Sequence, residues 1–224
     1  MTWALRGAIA VSGLLAGIGL LPSSNASATE RLAAGNTAHP IPGIVEPYCK
    51  DEGQLSLNRC AANWLSLTTE MHYIVQAEMF LRLPVEQEIQ MALAGDAWVE
   101  FKEAHCALVA EEVEGGSLYP MVLNRCLARV TNERIAALRG WGTAPVDRAA
   151  TETRLQTAYL ALADPSNGEG PRLEMAQVHW ETYRTQHCQL EGALQTEPEA
   201  EADCLARLAA ERTAQLQEIM GRRG

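Results

Sequence analysis

A nine-residue pattern, Trp98-Val-Glu-Phe101-Lys102-Glu-Ala-His105-Cys106, recurs 82 residues later as Trp180-Glu-Thr-Tyr183-Arg184-Thr-Gln-His187-Cys188. Tryptophan, an aromatic ring, a base, histidine and cysteine hold the same offsets in both copies. Further on, Cys126-Leu-Ala-Arg leads to Glu133-Arg134 and Leu138, and Cys204-Leu-Ala-Arg leads to Glu211-Arg212 and Leu216. This second match is 78 residues apart, so the connector between the two motifs is four residues shorter in the second copy. Matches this dense mark a tandem duplication, and the fold must be one that is built twice.

The punctuation of the chain assigns each copy three helices. Residues 54 to 82 lack Pro and Gly until Pro84, which ends a helix. A second helix is expected over about 85 to 113, stopped by Gly115-Gly116, and a third over about 118 to 139, stopped by Gly140. The second copy repeats this at about 148 to 163, 172 to 194 and 199 to 220, with Asp164-Pro-Ser-Asn-Gly-Glu-Gly-Pro171 as its first loop. No stretch alternates β-branched or aromatic residues with polar ones over a useful length. The expected fold class is all-α, two tandem three-helix units stapled by disulfides.

The first 28 residues read as a signal peptide. Arg6 is the lone charge before Glu30, the run from Gly7 to Leu21 is apolar, and Ser23 to Ala28 supplies small residues for cleavage after Ala28. That apolar run is shorter than the ~18 to 20 residues that span a bilayer, so no membrane span is expected after cleavage. Residues 29 to 48, rich in Ala, Gly and Pro, read as a flexible leader, with the folded part beginning near Cys49. The whole chain carries 18 basic and 28 acidic residues, a net charge of −10. Losing Arg6 leaves 17 against 28, or −11, which argues against nucleic acid as a partner, since phosphate contacts need clustered positive charge.

All six cysteines follow the signal segment, and an even count in an exported chain argues for three bridges. If the second copy folds as a unit, its Cys188 and Cys204 pair, their counterparts Cys106 and Cys126 pair likewise, and Cys49 is left with Cys60. The rival is a metal site, because histidine precedes cysteine in both copies. Cys-x-x-Cys is absent and the spacing is wide for zinc, so neither a metal nor another cofactor is expected.

Offsets 0, 3, 4 and 7 share one helical face, so Trp98, Phe101, Lys102 and His105 form a stripe, as do Trp180, Tyr183, Arg184 and His187. The rings are expected to fill the interior of each three-helix unit while the base extends outward along them. The alternative is an exposed aromatic and basic ligand face. On the third helices, Arg134 and Arg212 stand among apolar residues, which requires a facing carboxylate or carbonyl and makes them structural hubs. His39, His72 and His179 do not recur and read as surface or incidental residues. Acidic clusters occupy the connectors between second and third helices, Glu111, Glu112 and Glu114 in one copy and Glu197, Glu199, Glu201 and Asp203 in the other. They read as solvated, helix-starting carboxylates or as a patch that attracts a cationic protein. No catalytic set emerges. Ser56, Ser66, Ser117 and Ser166 have no G-x-S-x-G setting, and no H-E-x-x-H or phosphate-binding glycine loop occurs. With every cysteine bridged, no thiol nucleophile remains.

The string Trp98, Phe101, Lys102, Cys106, Gly115-Gly116-Ser117, Met121, Cys126, Arg134 and Leu138 resembles the lysozyme inhibitor LprI-like family of exported bacterial modules. Cys49 and Cys60 match that family's leading cysteine pair. Residues 49 to 140 carry the resemblance, and 148 to 220 resemble a degenerate copy without the leading cysteines or the Gly-Gly-Ser. The resemblance implies a small, helical, disulfide-linked periplasmic or secreted protein, not an enzyme. Its best-known member inhibits lysozyme and is a lipoprotein, whereas no lipobox cysteine stands here. The expected function is binding of a cationic protein such as lysozyme through an acidic surface. The alternative is a structural or envelope-stress scaffold with no inhibitory activity.

Overall fold

The computed structural model describes residues 44–49, 53–140, 147–164, 170–195 and 197–223. The expected signal peptide and most of the leader therefore lie outside the described residues. Among the described residues six α-helices follow in order: α1 Gln54–Phe80, α2 Val85–Ala110, α3 Tyr119–Leu138, α4 Arg148–Leu162, α5 Pro171–Leu194 and α6 Ala200–Arg223. No strand occurs among the described residues, and the fold is all-α. Local chemistry places the boundaries. Pro84 separates α1 from α2, and the Asp147 carboxylate caps α4 by accepting from the Ala149 N–H at 3.1 Å. Pro120 and Pro171 sit in the first turns of α3 and α5, where no N–H is missed. The second helix ends earlier than expected, at Ala110, and relaxes into one 3₁₀ turn over Glu111–Val113. Gly115 then turns the chain at φ 75°, a conformation that only glycine adopts without strain.

Within the copies, α1 lies on α3 and α4 on α6, while the most extensive packing in the molecule joins α2 to α5, one from each copy. These two helices run antiparallel. Glu114 meets Arg172 at 2.6 Å, the Phe101 and Tyr183 rings stack at 5.6 Å with planes 3° apart, and Met91 and Leu190 share an apolar cluster. Phe101 and Tyr183 are repeat-equivalent, so a local twofold passes between them. Here the expectation of two separate three-helix interiors is corrected. Trp98, Phe101, Leu108 and Val130 of the first copy share one core with Leu173, Trp180, Tyr183 and Leu208 of the second. The aromatic stripes face each other across the copies because neither unit has enough large apolar residues to close a core alone.

Three disulfides join Cys49 to Cys60, Cys106 to Cys126 and Cys188 to Cys204. The last two tie α2 to α3 and α5 to α6 at equivalent places. The segment before Cys49 is less free than the sequence suggests. The Ile44 carbonyl accepts from Trp64 Nε1 at 2.9 Å and from Asn132 Nδ2 at 2.7 Å, and Glu46 pairs with Arg125. Closing loops of 20 and 16 residues stabilises by about 3 kcal/mol each in the chain-entropy view. Paired Cys188→Ala and Cys204→Ala substitutions are therefore expected to lower stability by about 3 kcal/mol, read as a fall in the urea midpoint. Cys106, Cys126, Cys188 and Cys204 are buried while Cys49 and Cys60 are partly open, so mild dithiol treatment should release Cys49–Cys60 first, as peptide mapping would show.

Candidate functional site

Each of the two buried arginines reaches a histidine in the opposite copy. Arg134 of α3 donates through Nη1 to His187 Nδ1 at 2.8 Å and to the Tyr183 hydroxyl at 3.3 Å, both on α5. Arg212 of α6 donates to His105 Nδ1 on α2 at 3.1 Å, to Gln177 Oε1 at 3.2 Å and to Gln215 Oε1 at 3.4 Å. The exchange is reciprocal, as in an isologous dimer interface, although both halves belong to one chain. Of the expected acceptors, no carboxylate is paired with either arginine among the described residues, while amide carbonyls face Arg212 in Gln177 and Gln215. A neutral imidazole and a ring face complete both sites, Arg134 lying 5.3 Å from the Tyr183 centroid and Arg212 5.5 Å from Phe101. Burial pushes the Arg212 guanidinium down to about 9, so it keeps its charge at neutral pH. Burial first, and the facing arginine second, hold His105 and His187 well below the ordinary histidine range. Each therefore accepts at Nδ1 and carries its proton on Nε2.

His72 corrects the reading of it as incidental. It is buried and stacks on Trp98 with centroids 4.5 Å apart, and burial, aided by Arg134 and Lys102, lowers it to about 4. His179 stays at the surface, 3.2 Å from Glu100, and His39 lies outside the described residues. The stripe bases lie over their tryptophans, Lys102 Nζ at 4.6 Å from the Trp98 centroid and the Arg184 guanidinium at 5.1 Å from Trp180.

The acidic clusters sit at opposite ends of the molecule because α2 and α5 are antiparallel. Glu111 and Glu114 pair with Arg172 of the other copy at 3.3 and 2.6 Å. Glu199 and Asp203 pair with Arg148, which holds the Asp203 carboxyl below its usual range. Glu112, Glu197 and Glu201 are exposed. Much of the negative charge at both ends is thus spent on arginine.

A groove runs between α3 and α6, which are antiparallel across the local twofold. Arg129 meets Glu218 at 2.6 Å and Gln215 reaches Glu133 at 3.4 Å. One half is bridged by Arg129 and Glu218. Continuing the same register, Gly140 faces Arg207, and the repeat offset makes Gly140 the counterpart of Glu218. With no side chain there, that half opens into a cleft of about 510 Å³. Its floor includes Leu138, Leu190 and His187, and its rim carries Glu133 and Glu211. Both glutamates recur in the repeat, but no sequence pattern marks a role for them, since the glycine that opens the space reads only as a helix stop. His187, Glu191 and Cys204 come close enough to suggest a metal, yet the Cys204 sulfur is bonded to Cys188 and offers no thiolate.

Comparison with known proteins follows the duplication. The family described as lysozyme inhibitor LprI matches residues 49–138 and again 144–216. An uncharacterized protein of Rhizobium meliloti (strain 1021), R02472, is 30% identical over 108 residues, covering 42% of this chain and 78% of that protein. No solved structure matches. No helix among the described residues is long and apolar enough to cross a membrane. Matched over both of its copies, this chain belongs to the lysozyme inhibitor LprI family.

Proposed function

We infer that the protein is exported, acts outside the cytoplasm without catalysis, and binds a cationic protein, with lysozyme as the partner it inhibits. The family match over both copies carries this reading. Three disulfides support an oxidising compartment. A net charge of −10 supports attraction to a positively charged enzyme and a fast encounter with it. Glu197 and Glu201 are exposed at one end, and a folded pair of units offers a rigid surface in place of a flexible acidic tail. In a bacterial lysis assay, micromolar purified protein is expected to slow lysozyme. The effect should weaken as salt rises from about 0.05 to about 0.3 M, because the attraction is screened. Unchanged lysis at micromolar excess and low salt would remove lysozyme as the partner.

A further inference from the structure

The open half of the α3–α6 groove has features that the packed core does not require. His187 is 5% exposed and lines the cleft. Its Nδ1 is engaged by Arg134, and its Nε2, like that of His105, has no hydrogen-bond partner among the described residues. Glu191 Oε2 lies 3.6 Å from it, beyond hydrogen-bond distance, and is held by Arg207 at 2.6 Å. A buried donor left this way costs free energy until something accepts from it. Around it, Leu138, Leu190 and Leu194 make an apolar bed, and Glu133 and Glu211 stand at the rim with no ion pair among the described residues, Glu133 accepting from Gln215 and feeling Arg129, and Glu211 feeling Arg207. At the equivalent place in the other half, Arg129 and Glu218 answer each other. Solvent reaches Glu211, yet its concave surroundings, opposed by the Arg207 cation and helped by the nearby Glu133 and Glu191, push its carboxyl up to about 6, and an incoming cation would relieve the crowding of like charges.

We propose that this cleft is the docking site for a partner-protein loop that presents an arginine or lysine beside an apolar residue. The cation bridges Glu133 and Glu211, the apolar side chain covers the leucines, and a loop carbonyl accepts from His187 Nε2. This rests on the reading that the partner is a cationic protein, and it places the contact in the groove, away from the two acidic ends. A divalent metal is a poorer occupant because the sulfur beside His187 is oxidised.

The probe is acetyl-Leu-Arg-amide, titrated into the ¹⁵N-labelled intact chain and followed by amide shifts. Saturable shifts are expected in segments 133–140, 187–195 and 207–215. The double variant Glu133→Gln, Glu211→Gln keeps the shape and should weaken binding about tenfold. Ala214→Trp, at an exposed cleft position, should abolish it by filling the space. Shifts centred on 111–114 or 197–203, or none, would overturn the assignment. The same two variants enter the lysis assay. If the native chain inhibits lysozyme and both variants inhibit equally, the cleft is not the contact, while lysozyme stands as partner. If the native chain does not inhibit, lysozyme falls, and the peptide titration alone decides the cleft.

Discussion

Truncating Phe101 to alanine is expected to destabilise the protein by about 3 to 5 kcal/mol, a large part of the stability of a typical domain. The ring is 3% exposed, stacks on Tyr183 across the local twofold and carries the Arg212 guanidinium on its other contacts. Its loss leaves a cavity in the one core that both copies share, so the damage reaches beyond the first copy. For a chain of this size, each kcal/mol lowers Tm by about 2 to 4 °C, so a fall of about 10 °C is expected. Tyr73→Ala is the control, because that ring is 65% exposed and its removal should stay within about 0.5 kcal/mol. Calorimetry checks both. Equal small effects would mean that the α2–α5 contact contributes little.

Acid should weaken the protein below neutrality, through its histidines. His72, His105 and His187 are all held below the ordinary value of 6.5 in the folded chain. Below about 6.5 the unfolded chain binds protons that the folded chain refuses, so stability falls as the pH falls. Each such histidine contributes up to about 1.4 kcal/mol per pH unit, and the loss continues down to its folded value, about 4 for His72. Glu133 and Glu211 act with the opposite sign, since their raised values favour the folded chain as they protonate. They are exposed, so their share is the smaller one. Urea midpoints are therefore expected to be level above pH 7 and to fall steeply between pH 6 and 5. His72→Phe, which keeps a ring on Trp98, should remove about a third of that slope. Midpoints that do not change from pH 7 to 5 would contradict the buried neutral imidazoles.

Much of this architecture is legible in the residues, and the illegible part has one physical origin. Helix limits follow from Pro84, Gly115 and Gly140, and the pairing of Cys106 with Cys126 and of Cys188 with Cys204 follows from the duplication. A helical stripe such as Trp98, Phe101 and His105 shows which face is buried but not what covers it. The period is the same whether the cover is the helix's own unit or the neighbouring copy. The arginine partners were hidden for the same reason. Each copy holds one unmatched donor, Arg134 or Arg212, and one unmatched acceptor, His105 or His187, and only the antiparallel seating of α2 on α5 crosses them. His72 reads as incidental because it has no counterpart, while its burial depends on α1 crossing Trp98. The cleft depends on a difference between the copies, Gly140 where the other has Glu218, and likeness between repeats draws attention away from such a position.

The crossed pairing between the copies is the claim on which the twofold, the shared core and the cleft beside Gly140 all depend. Double-mutant cycles in urea unfolding test it most directly, with Arg134→Met and Arg212→Met each combined with His105→Phe and His187→Phe. Coupling of about 1 kcal/mol or more is expected for Arg134 with His187 and for Arg212 with His105, with Arg134–His105 and Arg212–His187 additive within about 0.5 kcal/mol. Coupling confined to the pairs within one copy would contradict the crossed arrangement.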